Sequence, residues 1–364
     1  AKFDLAGLPH VRIPYRMWRA PALDFVVSAG MTYRAEDGVQ VDRQSSVFAA
    51  GELADMSYDA QLTTNQKGKP ATLRLRAFRS DSDGNLLGPM NATHFGVGDV
   101  EGFESGLTGS SAAGRGAVVT NRPLTSQSAF GQTRFEGDLP SGWEAEIYRN
   151  DELLAFTQST ADQRYVFDNV QLLYGENNIR IVMYGPQGQI RTREELVDVG
   201  QDSAPPGKTW YWAGANQPTR DIVTLEKPPD APEVPKAQAT VALEHGIDSK
   251  TAASALARTM LFDDERVTFV EGTVRRSIGK ALVEVGAARE SGGGTAARAQ
   301  ILGMIGPVNV NAEAILANDF HLQGRNRESV HDYRVDLDAP LKIGRTTIPA
   351  HAEMHMLDQR DGRD

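Results

Sequence analysis

Three stretches of the chain carry side chains whose types and spacing could do chemistry. Residues 109–116 read Gly-Ser-Ser-Ala-Ala-Gly-Arg-Gly, the glycine spacing of a loop that cradles phosphates. Such a loop needs a lysine for the outer phosphates and a hydroxyl for Mg²⁺. Arg115 and Gly116 stand in those places, so the stretch is expected to be a flexible loop. Asp81, Asp83 and Asn85 offer oxygen ligands at alternate positions around Gly84, as the start of a calcium loop does, but the twelfth position, where a bidentate acid belongs, is Ala92. A hairpin turn accounts for the same residues. His351, Glu353 and His355 share one face of a strand, and two imidazoles with a carboxylate can ligate zinc. Their order is not that of the helical zinc-protease motif, and His and Glu are ordinary on a water-facing strand face, so no metal site is expected. No serine sits in a nucleophile-elbow context and no carboxylate pair stands apart from the turn acids; neither catalysis nor a cofactor is expected.

The composition narrows the remaining classes. With 364 residues, 48 acidic against 38 basic side chains and a net charge of -10, the chain has the length of two or three units and lacks the basic stripe of a nucleic-acid binder. It has no cysteine, which removes thiol nucleophiles, disulfides and thiolate metal sites. Hydrophobic residues make up 40%, enough for a sizeable core, yet no apolar run reaches the roughly 20 residues that a membrane-spanning helix needs. The opening Ala1-Lys2-Phe3 reads as processed or trimmed.

The elements that must position these side chains are strands. Helical periodicity is almost absent, and period-two alternation recurs in segments of about ten residues. In 71–78, Ala71, Leu73, Leu75 and Ala77 alternate with Thr72, Arg74, Arg76 and Phe78; in 308–316, Val308, Val310, Ala312, Ala314 and Leu316 alternate with Asn309, Asn311, Glu313 and Ile315. Residues 237–244 and 331–341 repeat the pattern. Successive strand side chains point oppositely, so each segment has one face suited to hydrocarbon and one to water. About fourteen such strands, joined by Gly, Asn, Asp and Pro clusters, have the length and contrast of a membrane-spanning barrel. Arg74, Arg76, Asn309, Asn311 and Glu313 are then candidates to face the lumen.

The middle differs. Trp143, Ala145 and Ile147, then Tyr165, Phe167, Leu172, Ile179, Ile181 and Met183, supply the apolar surface of a small sandwich. Proline-bearing stretches bracket it, and Pro123 on one side and Pro205, Pro206 and Gly207 on the other are expected to act as hinges. Residues 227–232 (Lys-Pro-Pro-Asp-Ala-Pro) read as an exposed loop. The trio Trp210, Tyr211 and Trp212 suits the aromatic girdle of a barrel better than a platform for sugars.

Residues 72–100, 115–124, 138–156 (DLPSGWEAEIYRNDELLAF) and 172–189 (LLYGENNIRIVMYGPQGQ) resemble bacterial fimbrial usher-like outer-membrane proteins, and 206–212 is similar to the strand that resumes the barrel after the plug of such proteins. The resemblance implies an all-β fold: a transmembrane antiparallel β-barrel interrupted by an immunoglobulin-like plug. It divides the chain into barrel strands over 1–127, an inserted Ig-like β-sandwich domain over 128–203, and continuing barrel strands over 204–364. It further implies a bacterial outer-membrane location in contact with lipid, and export of pilus subunits delivered by a periplasmic chaperone, gated by the plug. Two departures from the family pattern stand out. The first twenty residues leave no room for a chaperone-binding domain, and the chain ends in Asp361-Gly362-Arg363-Asp364 instead of an aromatic-terminated strand. The competing expectation is a secreted or surface-attached adhesin of stacked sandwiches that binds carbohydrate or a protein partner, its apolar faces packed against one another.

Overall fold

A computed structural model describes residues 15–361, apart from 35–37, 66, 110–111, 124–131, 161–162, 174, 200–202, 226–236, 263–264 and 344–345. Ser110, Ser111 and the loop at 227–232 therefore lie outside the described residues. The rest is almost entirely antiparallel strand.

Six strands come first: β1 (Trp18–Arg34), β2 (Gly38–Leu53), β3 (Met56–Thr64), β4 (Pro70–Ser80), β5 (His94–Val100) and β6 (Gly114–Thr120). Six more form the inserted module: β7 (Gln132–Asp138), β8 (Glu144–Arg149), β9 (Glu152–Gln158), β10 (Arg164–Gln171), β11 (Gly175–Tyr184) and β12 (Ile190–Val199). The remainder are β13 (Thr209–Pro218), the short β14 (Val223–Thr224), β15 (Gln238–Gly246), β16 (Thr251–Phe262), β17 (Glu265–Ile278), β18 (Ala281–Glu290), β19 (Thr295–Ile305), β20 (Val308–Phe320), β21 (Glu328–Ile343) and β22 (Thr346–Asp361).

One 16-stranded sheet contains every strand outside the module. Its order follows the chain from β1 to β6, passes directly to β13, and continues from β15 to β22, with β14 pairing on β4. β6 and β13 are hydrogen-bonded neighbours, Trp212 lying opposite Thr120 and Gly214 opposite Val118. The module is thus inserted into a sheet that closes up behind it. β1 and β22 are the two edges, and the sheet is open between them among the described residues.

The alternation read from sequence becomes a separation of faces. Along β15, Gln238, Thr240, Ala242 and Glu244 are buried whereas Val241 and Leu243 are exposed. Along β18 and β19, Glu284, Arg298 and Gln300 are buried and Val285 and Ile301 exposed. A soluble sheet buries the aliphatic side; here the charged side is enclosed and the aliphatic side faces outward. Stacked sandwiches would require these aliphatic faces to pack against each other, and they do not.

The module consists of a four-stranded sheet, β12-β11-β8-β9, and the pair β10-β7. Phe135, Leu139, Trp143, Ala145, Ile147, Tyr165, Phe167, Val170, Leu172, Ile179, Ile181 and Val197 form its buried core. Tight turns set its registers, the one between β8 and β9 placing both Asn150 and Asp151 at positive φ. Burial of each large core side chain contributes about 1.5–3 kcal/mol, so the module carries a core of its own.

Candidate functional site

The site is the space enclosed by the charged face, and the module fills much of it through polar contacts. Gln189 Nε2 donates to Ser28 Oγ of β1 at 2.7 Å, and Gln44 Nε2 of β2 donates to the carbonyl of Ser141 at 2.7 Å. The Thr63 hydroxyl of β3 donates to Gln163 Oε1 at 2.5 Å. Arg74 of β4 pairs with Asp138, and Arg164 holds both carboxylate oxygens of Asp99 on β5 at 2.7 and 2.8 Å. On the far side, Leu282 of β18 and Leu302 of β19, which face each other across the ladder, join the apolar cluster of the module. Five strands of the sheet order separate β5 from β18. A body that touches both stretches forces the sheet to curl around it.

A second inward element is the connection from β5 to β6. Its turn at 105–109 crosses to the opposite wall, where Arg258 of β16, 1% exposed, reaches it. The Arg258 guanidinium donates to the carbonyls of Phe103, Thr108 and Gly109, and its Nε to Thr240 Oγ1 at 3.0 Å. Ser105 donates to Glu271, and the amide of Gln323 donates to the carbonyl of Leu107 at 2.9 Å. Gly109 has φ +81° and lies so close to the Gln323 backbone that a Cβ would stand 2.7 Å from it, so only glycine fits. Leu107 is buried among Val267, Phe269, Ile315, Phe320 and Leu322. The glycine-rich stretch 109–116 expected to be a flexible loop is therefore held at both ends, by Gly109 here and by Gly114, Arg115 and Gly116, which open β6 and pair with β5 and β13.

Charged side chains of the wall interlock across neighbouring strands. Arg275 of β17 pairs with Glu284 of β18 at 3.0 Å, and Arg298 of β19 pairs with Glu284 at 3.1 Å and with Glu313 of β20. Gln300 donates to Asn311 at 2.9 Å. Buried ions persist only when paired and hydrogen-bonded, and this ladder meets that condition. A cavity of about 300 Å³ remains between this wall, the 103–109 turn and the module, lined in part by Arg134, Asp168, Glu244, Glu271 and Arg275.

The two connections to the module meet at one carboxylate. Glu244 of β15 accepts from Arg122 Nη2 at 2.8 Å through one oxygen and from the amide of Ala204 at 2.8 Å through the other. Arg122 precedes Pro123, which is exposed, and Ala204 precedes the exposed Pro205, Pro206 and Gly207. The latter segment is fastened further, Gly207 donating to the carbonyl of Gly246 at 2.8 Å.

Among the lumen candidates, Arg74 and Asn311 are buried, and Glu313 contributes to the ladder. Arg76 pairs with Asp59 on β3 at 2.6 Å, and Asn309 is half-buried on the same face of β20 as Asn311 and Glu313. His351 and His355 do not converge: they face Asp338 at 3.0 Å and Asp332 at 2.8 Å. Asp81 closes its own turn by accepting from the amide of Asp83 at 2.9 Å. The aromatic trio departs from the girdle expectation. Trp212 and Trp210 point to the inner side, Trp212 against Phe103 with ring centroids 5.3 Å apart and Trp210 beneath Arg122, and only Tyr211 has the outward parity. Phe103 of the β5–β6 connection and Arg122 after β6 are the ring partners that local sequence did not reveal. Arg258, Glu271, Glu284, Arg298 and Glu244 were not singled out in sequence; each shares the parity of polar neighbours on its strand or stands alone among small residues, and that parity was the available signal.

Fold and face chemistry together define the class: an all-β, transmembrane-type antiparallel β-barrel sheet, open in this structure, with an inserted β-sandwich. No protein-family model matches the chain, and no curated protein matches it. Among solved structures it is similar to the translocation pore of the P pilus usher PapC, at 10% identity and a TM-score of 0.37, covering 92% of this chain and 77% of that one. It is similar also to a chain of the E. coli P pilus tip assembly intermediate PapC-PapD-PapK-PapG, at 11% identity and a TM-score of 0.43, covering 98% of this chain and half, 50%, of that one. A third is OccK3 (OpdO) of Pseudomonas aeruginosa, at 9% identity and a TM-score of 0.32, covering 93% and 89% of the two chains. The class rests on this chain's own strand order and face chemistry.

Proposed function

We propose that this chain forms an outer-membrane pore whose lumen is occupied at rest by the 132–199 sandwich, and that the sandwich moves aside to let a large cargo pass. The observation that carries the proposal is the character of the module–wall contact. It is built chiefly from hydrogen bonds and ion pairs, through Ser28, Gln44, Thr63, Arg74 and Asp99, with an apolar touch at Leu282 and Leu302. Polar contacts of this kind exchange for water at modest net cost, about 0.5–1.5 kcal/mol for a neutral hydrogen bond and about 1.5–3 kcal/mol for a charged one, and they find water as a replacement partner, which an apolar interface does not. The module keeps its own core when it leaves. By the resemblance to fimbrial ushers, the cargo is pilus subunits handed over by a periplasmic chaperone, and the protein is not an enzyme.

Thr63 and Gln163 provide the test, because the chain contains no cysteine to interfere. A Thr63→Cys, Gln163→Cys pair should form a disulfide that holds the sandwich in place. In planar bilayers the oxidised protein should stay at low conductance and open on reduction, and cells carrying it should assemble surface fibres only under reducing conditions. Full conductance and full assembly with the bond intact would overturn gating by displacement.

A further inference from the structure

We infer a divalent transition-metal site on the last hairpin, formed by Asp336 of β21 with His351 and Glu353 of β22. Asp336 and Glu353 are direct cross-strand partners, and His351 is opposite Asp338 one pair further along the same face. One ligand atom from each of Asp336, His351 and Glu353 lies within 4.8 Å of the other two. An ion with ligand bonds of about 2.0–2.2 Å holds adjacent donors roughly 3–3.5 Å apart, so a small rotation of the exposed His351 and Glu353 side chains closes the set.

The independent observation is the state of Asp336. It is 3% exposed, and neither of its carboxylate oxygens has a hydrogen-bond partner. A buried carboxylate without a partner is strongly unfavourable unless a cation or donor meets it. Arg334, two residues away on the same face, is opposite His355 and not Glu353. Asp336, Asp338 and Glu353 therefore concentrate negative charge at one spot, and Glu152 of the module is near enough for its charge to act on His351. The charges of Arg334 and His351 act on Asp336 from a distance, but no donor bonds to either of its oxygens, and a cation seated between the three ligands would fill that place.

The neighbourhood also orients the imidazole. His351 Nδ1 is hydrogen-bonded to Asp338 at 3.0 Å, which leaves Nε2 for a metal. A carboxylate behind a ligating histidine fixes its tautomer and raises its basicity. One nitrogen and two carboxylate donors suit Zn²⁺ and its first-row neighbours better than Ca²⁺ or Mg²⁺, which favour all-oxygen shells. The ion would tie β21 to the edge strand β22 on the inner face, where the sheet is open.

The test uses the full chain folded in detergent, with ZnCl₂ as the probe and a chromophoric chelator as competitor. One Zn²⁺ per chain should bind with micromolar affinity or better. Asp336→Asn and Glu353→Gln should each weaken binding at least tenfold, and Asp338→Asn, which leaves every ligand in place, roughly tenfold to a hundredfold. His245→Ala, on β15, should bind as the unaltered chain does. Glu353 is exposed, so its substitution leaves the fold intact even if Asp336→Asn fails to fold. Absence of stoichiometric binding by the unaltered chain, or binding unchanged in Glu353→Gln and Asp338→Asn, would overturn the site.

Discussion

Arg258 shows what a single side chain can hold in an enclosed polar space. Its guanidinium joins the carbonyls of Phe103, Thr108 and Gly109 to Thr240, fixing a loop from one part of the sheet to a strand far from it in the order. Arg258→Met keeps the stem and removes every donor, leaving three carbonyls to find water. The expected loss is about 3–5 kcal/mol in unfolding experiments, together with higher basal conductance as the 103–109 turn detaches. Conductance unchanged in a folded Arg258→Met protein would count against a constricting role for the turn. On the module, Tyr148 and Tyr184 both donate to one oxygen of Glu146, at 2.6 and 2.9 Å. That hydrogen bond, foremost, pushes the Tyr148 phenol from its ordinary value of 10.0 up to about 12. Because the folded value is raised, the stabilisation is present below pH 10 and is lost as pH rises towards about 12. The phenol absorbance lost in Tyr148→Phe should be that of a group still protonated at pH 11, and in Glu146→Gln that same group should ionise at lower pH; a Tyr148 phenol that titrates alike with and without Glu146 would refute the pairing.

Among the elements, the two stalks of the module are governed by Glu244. Its carboxylate accepts from Arg122 on the entering stalk and from Ala204 on the leaving one. Glu244→Gln retains one acceptor and loses the charge, weakening the clasp by about 1.5–3 kcal/mol, roughly tenfold to a hundredfold in the population of released stalks. Limited trypsin digestion after Lys208 should accelerate accordingly, whereas an unchanged cleavage rate there would show that Glu244 does not hold the stalks. Strands such as β4, β15, β20 and β21 were legible in sequence because a two-sided environment writes itself as alternation, and the aliphatic and polar sets of 308–316 fall on opposite faces as read. Position across the sheet was not legible. Nothing near Trp212 announces that Phe103 will meet it, and nothing near Glu244 announces that residues 122 and 204 will converge there, since both contacts depend on chain returning after the module. Arg258, set among Ala252, Ser254 and Leu256 on its face of β16, gave the same faint signal as any solitary arginine.

For the whole molecule, the decisive feature is the inversion of faces. Glu271, Glu284, Arg298 and Gln300 are enclosed, and Val241, Leu243, Val270, Val274, Val285 and Ile301 are exposed. Water would penalise such a surface, while a bilayer core rewards it and tolerates only backbone that is hydrogen-bonded within the protein. The module, with its own apolar core, then sits as a separate body within a polar enclosure. Single cysteines introduced on β17 and β18 and labelled with a fluorophore test this directly in lipid vesicles. A label at Val285 should be quenched by nitroxide-bearing lipid and shielded from aqueous iodide, and one at Thr273 of the neighbouring β17, which lines the enclosed cavity, should escape the lipid quencher. Equal exposure of the Val285 label to iodide, with no quenching by lipid, would contradict the account.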